Sequence, residues 1–536
     1  MNLATLAWPK QASDLRIGAA VAHTSLIEAS LEKNEVQGLG LFIDGLDGAT
    51  TTLEADDQVS KLRSRFGGWR VQRLPLLDLP NYARSCPTVF IAGGPSTPAI
   101  SGMRAAIDPA LFPICSVVHS LCWDNLMSLY CYAWMLNEHQ DCLVATSEAA
   151  EIAIAHILDQ VDELICHRFG PSSDRIPRPR VVRGRLGVST ANLTQKSKAQ
   201  CRADLDLPHA GSIFLYLGRL SQTYKADLDP LLLAFCEVTK TVRGASLVIA
   251  GNQHQKGYVS HLLEMGSSLG IADSLHFLCN FEDERKSVLY RAADVFVSPV
   301  DNVQETFGLS LLEAMSHGVP VIASDWSGYR DIVEHNVTGL LIPTLWLEEA
   351  PNPVNVYASV LRGAELETFL ARRTMVDVDQ LTSAMIMLAE NPALAKHLGD
   401  AGREHVAQRF AWDAVVLQYG ALWKEQCHIT QARVKQANNP TYHLIDYDQT
   451  FSHYASATQQ LRDVAFIVSR TDSNIEARIC RTLSALAPAL ATRIETILMK
   501  ARDTTGLSYI GNDTPSSREA IRWVLKKGLA RAVTFH

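Results

Sequence analysis

The middle of the chain alternates short apolar runs with longer stretches in which apolar residues recur every third or fourth position. An apolar run between turn residues predicts a buried strand, and the longer periodic stretch predicts a helix. Strands are predicted at 213–217, 246–250, 275–279, 295–298 and 339–342, with helices at 227–242, 255–269 and 283–293. This alternation is typical of a doubly wound domain with a parallel sheet.

The segment 305–324 of this domain combines a loop, a helix and a strand. Leu309, Leu312 and Met315 recur at helical spacing, and Gly318 is a typical helix stop. The residues that follow, 319–323, are apolar enough for a strand covered on both faces. The segment therefore predicts a short helix that leads into a buried strand.

The entrance of this helix, near Phe307 and Gly308, is a candidate anion site. The first N–H groups of a helix lack internal partners and carry the positive end of its dipole, so they can bind a phosphate. Glu305 precedes the helix and Glu313 lies inside it, so the two carboxylates would flank the entrance. By themselves, Glu305 is equally consistent with an ordinary loop residue and Glu313 with a solvent-exposed charge on the helix.

The first strand of the same domain ends in Leu217-Gly218-Arg219, and Lys225 follows shortly after. A rigid guanidinium and a flexible ammonium at the carboxyl end of a parallel strand suit a diphosphate. Taken alone, these two cations are as consistent with ordinary surface charges as with a diphosphate site.

The first third of the chain repeats the strand and helix alternation. Strands are predicted at 15–22, 39–43, 88–92, 113–121 and from Cys142 onward, with helices at 25–33, 99–107 and 148–158, the last capped by Ser147. Ligands gather at the carboxyl ends of parallel strands, so His119 is either a ligand-binding or a packing residue. Gly93-Gly94 either holds a phosphate or forms an ordinary tight turn.

The last third is predicted to be mainly helical. Helices are expected at 377–389 and 392–410, followed by a helix from Trp412 to Trp423 and, in the C-terminal segment, by helices at 455–468, 474–486, 489–502 and 516–528. The segment 344–376 is predicted to be a loop or lid. The basic side chains Arg522, Lys526, Lys527 and Arg531 belong to a solvated helix, to a module that recruits a partner or an acceptor, or to a nucleic-acid-binding surface, the least favoured of the three.

Length and composition limit the class of protein. A chain of 536 residues predicts two to four domains, and 47% hydrophobic with 20% charged residues is typical of a globular protein. The net charge of −8 argues against general nucleic-acid binding. Neither a membrane span nor a secretory leader is predicted, and the 11 scattered cysteines fit packing in a reducing compartment, so we expect a cytoplasmic protein.

Five motifs follow one another between residues 218 and 343. They are Gly218-Arg219 with Lys225, Leu247-Val-Ile-Ala-Gly251, the run from Leu289 to Pro299, Glu305-x7-Glu313 with the helix and strand after it, and Gly339-Leu-Leu-Ile-Pro343. Together they resemble the retaining family-four glycosyltransferases of the GT-B fold. The resemblance covers the middle domain well and the first domain loosely.

The resemblance implies an α/β architecture in which two Rossmann-like, doubly wound domains face a cleft. The implied divisions are an acceptor-side domain at 1–195, a nucleotide-sugar domain at 196–410, a crossover helix at 411–430 and a helical or winged-helix-like appendage at 431–536.

The resemblance also implies roles for individual residues. Arg219 and Lys225 would neutralise the donor diphosphate, Glu305 would bind hydroxyls of the donor sugar, and Glu313 would bind the ribose. The remaining implied site residues are His119, facing the sugar, the backbone of Gly218, Phe307, Gly308 and Leu309, and Asn280 in the loop that packs on the base.

The implied function is transfer of a sugar, with retention of configuration, from a nucleotide-diphosphate sugar. A UDP-sugar is favoured over a GDP-sugar, and neither a metal nor a cofactor is implied. The acceptor, whether glycan, lipid, peptide, protein or small molecule, stays open. The alternatives are a non-catalytic GT-B scaffold that binds a sugar nucleotide or a partner, and an epimerase or phosphorylase on the same fold.

Two positions depart from the family pattern. Residues 21–25, Val-Ala-His-Thr-Ser, stand where a glycine-rich loop is expected after the first strand, which puts the acceptor side in doubt. Lys225 is followed by Ala226-Asp227 in place of the usual glycine, but the cation itself is retained.

Overall fold

The computed structural model describes most of the first 434 residues and short pieces of the remainder. The described residues are 1–6, 18–43, 53–95, 97–121, 126–170, 178–190, 193–283, 285–348, 356, 360–434, 441, 449–450, 464–468 and 530–534.

The first domain is built on a sheet of seven parallel strands. They are β1 (Asn2–Leu6), β2 (Gly38–Ile43), β3 (Val71–Pro75), β4 (Thr88–Ala92), β5 (Ile114–Val118), β6 (Cys142–Ala145) and β7 (Arg180–Arg183), in the order β3-β2-β1-β4-β5-β6-β7. Strands β4, β5 and β6 are buried throughout because helices cover both faces of the sheet. This is the predicted doubly wound arrangement, with its switch point between β1 and β4.

Within the described residues, six α-helices connect these strands. They are α1 (Gly18–Glu32), α2 (Leu53–Phe66), α3 (Leu79–Ser85), α4 (Pro98–Ile107), α5 (Leu126–Leu136) and α6 (Glu148–Phe169). The predicted cap is confirmed, since the Ser147 side chain accepts a hydrogen bond from the Ala150 N–H at 3.1 Å. Helix α6 extends well beyond the predicted end at residue 158.

The predicted first strand at 15–22 is wrong. Residues from Gly18 onward belong to α1, and the first strand is β1, at the start of the chain. The buried side chains of Ala22, Leu26 and Ile27 follow helical spacing, and alanine has the highest helix propensity of any residue. Residues 21–25 therefore lie inside a helix, and the loop after β1 lies outside the described residues.

The second domain contains a sheet of six parallel strands. They are β8 (Ile213–Leu217), β9 (Ser246–Gly251), β10 (Leu275–Cys279), β11 (Val295–Ser298), β12 (Val321–Ser324) and β13 (Gly339–Ile342), in the order β10-β9-β8-β11-β12-β13. All six strands were predicted, with bounds that differ by at most a few residues. The sequence was easy to interpret here because every strand is a short apolar run between turn residues.

Helices cover this sheet, four of them where the periodicity predicts and two, α7 and α12, that were not predicted. They are α7 (Lys198–Asp204), α8 (Asp229–Thr241), α9 (Tyr258–Ser268), α10 (Arg285–Ala292), α11 (Leu309–Ser316) and α12 (Tyr329–Ile332). Helix α11 is the one predicted from Leu309, Leu312 and Met315. It ends before Gly318, whose φ of +72° is the left-handed conformation expected just beyond a helix end.

The segment 344–376 has regular structure at its base, so its prediction as a loop is wrong in part. Strand β14 (Thr344–Trp346) pairs antiparallel with β15 (Thr374–Val376), and helix α13 (Gly363–Ala371) lies between them. Helices α14 (Val378–Glu390) and α15 (Pro392–Arg409) follow at the predicted places, α14 capped by Asp377.

The last long helix, α16 (Trp412–Val434), crosses back to the first domain and extends beyond its predicted end at Trp423. The Gln426 side-chain amide donates to the carbonyl oxygens of Ile114 (3.2 Å) and Gln140 (2.9 Å), beside β5 and β6. The two connections between the domains lie side by side, since the Val188 N–H donates to the Phe410 carbonyl oxygen at 2.9 Å and Val188 bridges Ala411.

The described part of the C-terminal appendage contains two strands, β16 (Val464–Val468) and β17 (Ala530–Thr534), paired antiparallel. The predicted helix 455–468 is therefore wrong over 464–468, where Val-Ala-Phe-Ile-Val favours a strand. Arg531 likewise lies in a strand. The helices predicted at 474–486, 489–502 and 516–528, with Arg522, Lys526 and Lys527, lie outside the described residues.

A search of the described helices finds none with the length and apolar character that a membrane crossing requires.

Candidate functional site

The carboxyl ends of β8 and β9 lie in backbone contact at two glycines. The Gly218 N–H donates to the Ala250 carbonyl oxygen at 3.1 Å. A Cβ on Gly251, whose φ is +148°, would lie 1.7 Å from the Gly218 carbonyl oxygen, so no side chain fits between the strand ends. The loop that carries the predicted cations thus begins from a fixed backbone position.

Arg219 and Lys225 lie at this end of the sheet, together with the segment that precedes α11. The Arg219 Nη2 donates to the Tyr224 carbonyl oxygen (3.0 Å) and to the Gln304 Oε1 (3.2 Å). The Lys225 ammonium forms an ion pair with the Glu305 carboxylate, and the two side chains are only 16% and 14% exposed. The structure therefore brings both cations and Glu305 together, as predicted.

Helix α11 begins at Gly308, whose φ of 125° and ψ of 58° suit glycine alone. A Cβ there would lie 2.5 Å from the Cε1 of Tyr329, a fully buried ring whose hydroxyl lies 2.8 Å from the Ser298 Oγ. Phe307 is buried against Phe410, and Leu309 is half-buried. The helix entrance is thus held by packing, and only glycine fits beside the Tyr329 ring.

Glu313 is held from inside the second domain. Its Oε2 accepts a hydrogen bond of 2.7 Å from the hydroxyl of Tyr290, which is 1% exposed. The His317 Nδ1 lies 2.7 Å from the Glu313 carbonyl oxygen. Glu305 and Glu313 therefore have different partners, which argues against an acid/base pair.

Asn280, in the turn after β10, has a φ of 54°. This conformation is left-handed, and asparagine is among the few residues other than glycine that adopt it readily. The Asn280 Oδ1 also accepts a hydrogen bond of 3.0 Å from the Gln253 N–H, which ties the turn to the end of β9.

His119, at the carboxyl end of β5, lies where the two domains meet. Its carbonyl oxygen accepts a hydrogen bond of 3.0 Å from the hydroxyl of Thr306, the residue after Glu305. The Thr306 hydroxyl accepts in turn from the hydroxyl of Thr146, at the end of β6, at 3.1 Å. Two strand ends of the first domain thus contact the entrance of α11.

Burial shifts the pKa of two groups near this contact. The His119 residue is half-buried, but both ring nitrogens are shielded from solvent, and desolvation, with a smaller contribution from nearby His23, lowers the imidazole pKa to about 3. Asp301 is 7% exposed, and burial raises the pKa of its carboxyl to about 7. His119 is therefore neutral at neutral pH.

Residues 197–349 match a family model described as Glycosyl transferases group 1. The match supports the resemblance to GT-B glycosyltransferases over this segment, which includes Gly218, Arg219, Lys225, Asn280 and the residues from Glu305 to Glu313.

Curated relatives resemble part of the chain. A D-inositol 3-phosphate glycosyltransferase of Salinispora arenicola is 31% identical over 220 residues, which cover 37% of this chain and 48% of that protein. An uncharacterized glycosyltransferase of Methanocaldococcus jannaschii is 27% identical over 201 residues, which cover 37% and 48%. The chain thus spans about half the length of the curated relatives it matches.

Solved structures resemble a larger part of the chain. HepE from Anabaena, in complex with UDP and glucose, has a TM-score of 0.53 at 16% identity and covers 79% of this chain and 99% of its own. Sucrose-phosphate synthase from Thermosynechococcus elongatus has a TM-score of 0.53 at 19% identity and covers 80% and 99%. These similarities show that the two parallel-sheet domains have the predicted GT-B fold.

Sequence reasoning missed several residues around this candidate site. Thr146 stands at the carboxyl end of a predicted strand, so the rule that selected His119 would also have found it. Gln304 and Thr306 directly flank Glu305, and proximity to that residue was a usable signal. Tyr290 and Asp301 carry no such signal, since only the packed structure brings the first to Glu313 and buries the second.

Proposed function

We propose that the protein is a retaining glycosyltransferase that moves a sugar from a nucleotide-diphosphate sugar to an acceptor. The observation that carries the proposal is the meeting of Arg219, the Lys225–Glu305 ion pair and the entrance of α11 at one end of the second sheet. A diphosphate bound there would face a guanidinium, an ammonium and backbone N–H groups.

The reaction needs negative charge to be stabilised on the leaving diphosphate. When the bond between the anomeric carbon and the phosphate oxygen breaks, charge develops on that oxygen, and cations already fixed in position stabilise it without reorganisation. Arg219 is fixed by two hydrogen bonds and Lys225 by Glu305. These groups would supply this stabilisation from side chains and backbone of the chain itself.

Retention is proposed to follow from attack by the acceptor on the face that the diphosphate leaves. A double displacement would need a free carboxylate as nucleophile. The Glu305 carboxylate is paired with Lys225, which suits binding of sugar hydroxyls better than nucleophilic attack. The neutral His119 ring is proposed to face the sugar, and the contact of its backbone with Thr306 would help to close the site to water.

The donor base and the acceptor are proposed only by class. UDP-sugars are the first donors to test, and HepE, which shares the fold, is the protein solved with UDP and glucose. The name of the Salinispora relative places an inositol phosphate among acceptors worth testing.

The first experiment measures thermal stabilisation of the protein by UDP-, GDP- and ADP-sugars, because stabilisation reports donor binding without an acceptor. The second measures release of nucleoside diphosphate in the presence of an acceptor panel. We expect a donor to raise the melting temperature, and Arg219→Ala to abolish release. Arg178→Ala, which removes an exposed arginine paired with Asp159 in the first domain, is the control.

Product analysis separates the alternatives. A glycosylated acceptor with retained configuration supports transfer, whereas a changed sugar without transfer indicates an epimerase. Donor binding without turnover for any acceptor would favour the non-catalytic scaffold. Unaffected turnover in Arg219→Ala would contradict the assignment of the site.

A further inference from the structure

Helix α13, in the segment 344–376, reaches the proposed diphosphate site through a buried carboxylate. Glu367 is 6% exposed, and its Oε1 accepts a hydrogen bond of 2.5 Å from the Gln304 side-chain amide. Burying a carboxylate costs desolvation energy that hydrogen bonds to its oxygens must offset. The hydrogen bond from Gln304 offsets part of this cost.

Gln304 connects this carboxylate to Arg219. The Gln304 Nε2 faces Glu367, and the Oε1 of the same amide accepts from the Arg219 Nη2 at 3.2 Å. A carboxylate only accepts and a guanidinium only donates, so a single orientation of the amide satisfies both neighbours. The hydrogen bond to Glu367 therefore determines which end of Gln304 faces the arginine.

A second contact joins α13 to the loop that carries Lys225. The Thr368 hydroxyl lies 3.1 Å from the hydroxyl of Thr223, whose carbonyl oxygen accepts a hydrogen bond from the Asn302 side chain. Helix α13 thus contacts both chain segments that form the site, the loop after β8 and the residues before α11. The matched family segment ends at residue 349, before this helix begins.

We infer that Glu367 is a positioning residue of the donor site, which acts through Gln304 to hold the Arg219 guanidinium toward the bound diphosphate. The inference rests on the proposed function and adds to it a residue from outside the matched family segment. The segment 344–376 is accordingly part of the donor site, and its helix helps to fix the geometry of Arg219 through Gln304.

Glu367→Gln tests the inference with little change of volume. An amide at 367 offers both donor and acceptor atoms, so Gln304 can turn its own N–H groups toward Arg219, where they repel the guanidinium. We expect the variant to weaken binding of the nucleoside diphosphate, measured by calorimetry, about five-fold, the order that one such hydrogen bond supports. Glu365→Gln, which neutralises an exposed carboxylate on the same helix, should bind as the wild type does.

A double-mutant cycle distinguishes a relay from a general loss of packing. In a Gln304→Met background, Glu367→Gln should have no further effect on affinity, because the connection to Arg219 is already broken. Additive effects, or wild-type affinity in Glu367→Gln alone, would overturn the inference. If Glu367→Gln lowers the melting temperature, a second variant is measured. The double variant Gln304→Met with Glu367→Met replaces the buried polar pair by an apolar one. Wild-type affinity in this double variant would also overturn the inference.

The same measurements separate this inference from the proposed function. If UDP, GDP and ADP all fail to bind the wild-type protein, the donor site itself is wrong. If one of them binds the wild type and Arg219→Ala weakens it but Glu367→Gln does not, only the role of Glu367 is wrong.

Discussion

The hydroxyl of Thr306 lies 3.0 Å from the carbonyl oxygen of His119, and this hydrogen bond joins the two domains beside Glu305. Thr306 is 3% exposed, and its hydroxyl also accepts from Thr146. Both partners are ends of adjacent strands in the first sheet, so the contact fixes the first domain against the entrance of α11. In a two-domain enzyme such a contact helps to define the closed state.

Thr306→Val should therefore impair the closed state more than donor binding. The substitution preserves the shape of the side chain but leaves the His119 carbonyl oxygen and the Thr146 hydroxyl without this partner, at a cost of about 1–3 kcal/mol for each buried group. From that cost in free energy, we expect kcat to fall roughly ten-fold or more and the affinity for the nucleoside diphosphate to change by less than about three-fold. Steady-state kinetics and calorimetry check these values.

Thr5→Val serves as the comparison, since it removes a buried hydroxyl that lies 3.2 Å from His23 inside the first domain. A fall in kcat of equal size in both variants would mean that general destabilisation, and not the contact between domains, is responsible.

Gly308→Ala is expected to disrupt the entrance of α11. The new methyl group would meet the fully buried ring of Tyr329, which Ser298 holds in place, and the backbone conformation is one that alanine avoids. The expected cost is roughly 3 kcal/mol or more in the free energy of unfolding, with loss of nucleotide binding.

Gly257→Ala provides the matched control for this variant. Gly257 also precedes a helix with a positive φ of 82°, but its Cβ would meet nothing within 4 Å. It should cost only about 1 kcal/mol, the conformational part alone. Equal losses in the two variants, measured by chemical denaturation, would contradict the steric argument.

Asp301 should make stability depend on pH. Burial raises the pKa of its carboxyl from 3.8 to about 7, so between these values the folded protein binds the proton more tightly than the unfolded chain. The free energy of unfolding therefore falls as pH rises from about 4 to about 7 and is constant above that range with respect to this group.

Asp301→Asn removes this contribution and retains an oxygen that can accept from the Asp227 N–H, which lies 3.3 Å from the carboxylate. The free energy of unfolding of the variant minus that of the wild type should be roughly 2–4 kcal/mol larger at pH 8 than at pH 5. Thermal and urea denaturation at both pH values test this. A difference that does not change with pH would show that the carboxyl titrates near its ordinary pKa.

Tyr290→Phe should weaken nucleotide binding through Glu313. The phenol donates to the Glu313 Oε2 at 2.7 Å, and the phenyl ring would still fill the buried space. Loss of that donor frees the carboxylate that we propose binds the ribose, so affinity for the nucleoside diphosphate should fall about five-fold. Tyr258→Phe, which removes a buried hydroxyl 3.2 Å from the Ala226 carbonyl oxygen, tests whether any buried phenol has this effect.

The second domain could be predicted almost entirely from the sequence because its strands are uninterrupted apolar runs and its helices have clear ends. Gly318 and Asp377 marked a helix end and a helix start that the structure confirms. The site residues of this domain also lie at strand ends or at a helix entrance, and these places can be located once strands and helices are known.

The errors have local physical causes. Residues 15–22 are apolar enough for a strand, but α1 begins at Gly18 and buries Ala22, Leu26 and Ile27, and the first strand is β1. The stretch 464–468 was predicted to be the end of a helix, yet its β-branched residues pair with a strand more than sixty positions away. Such long-range pairing cannot be inferred from a local pattern.

The parts of the site that sequence could not supply depend on contacts between distant segments. The link from Glu367 through Gln304 to Arg219 joins three regions of the chain, and the contact of Thr306 with His119 and Thr146 joins two domains. Arg219 and His119 were predicted as site residues, but their partners were not, because only the packed structure shows which distant segments meet.

The two chain connections at Val188 and Ala411, which lie side by side, limit how domains can be exchanged between related proteins. The polypeptide enters and leaves the second domain at neighbouring points, after which α16 returns to β5 and β6. The second domain is thus inserted into the first, and exchange of the proposed donor specificity between related proteins would require two junctions, near residues 190 and 411. A chimera made with a single junction would join α16 of one parent to the first-domain sheet of the other, and Gln426 and the residues around it would then have to match a foreign surface.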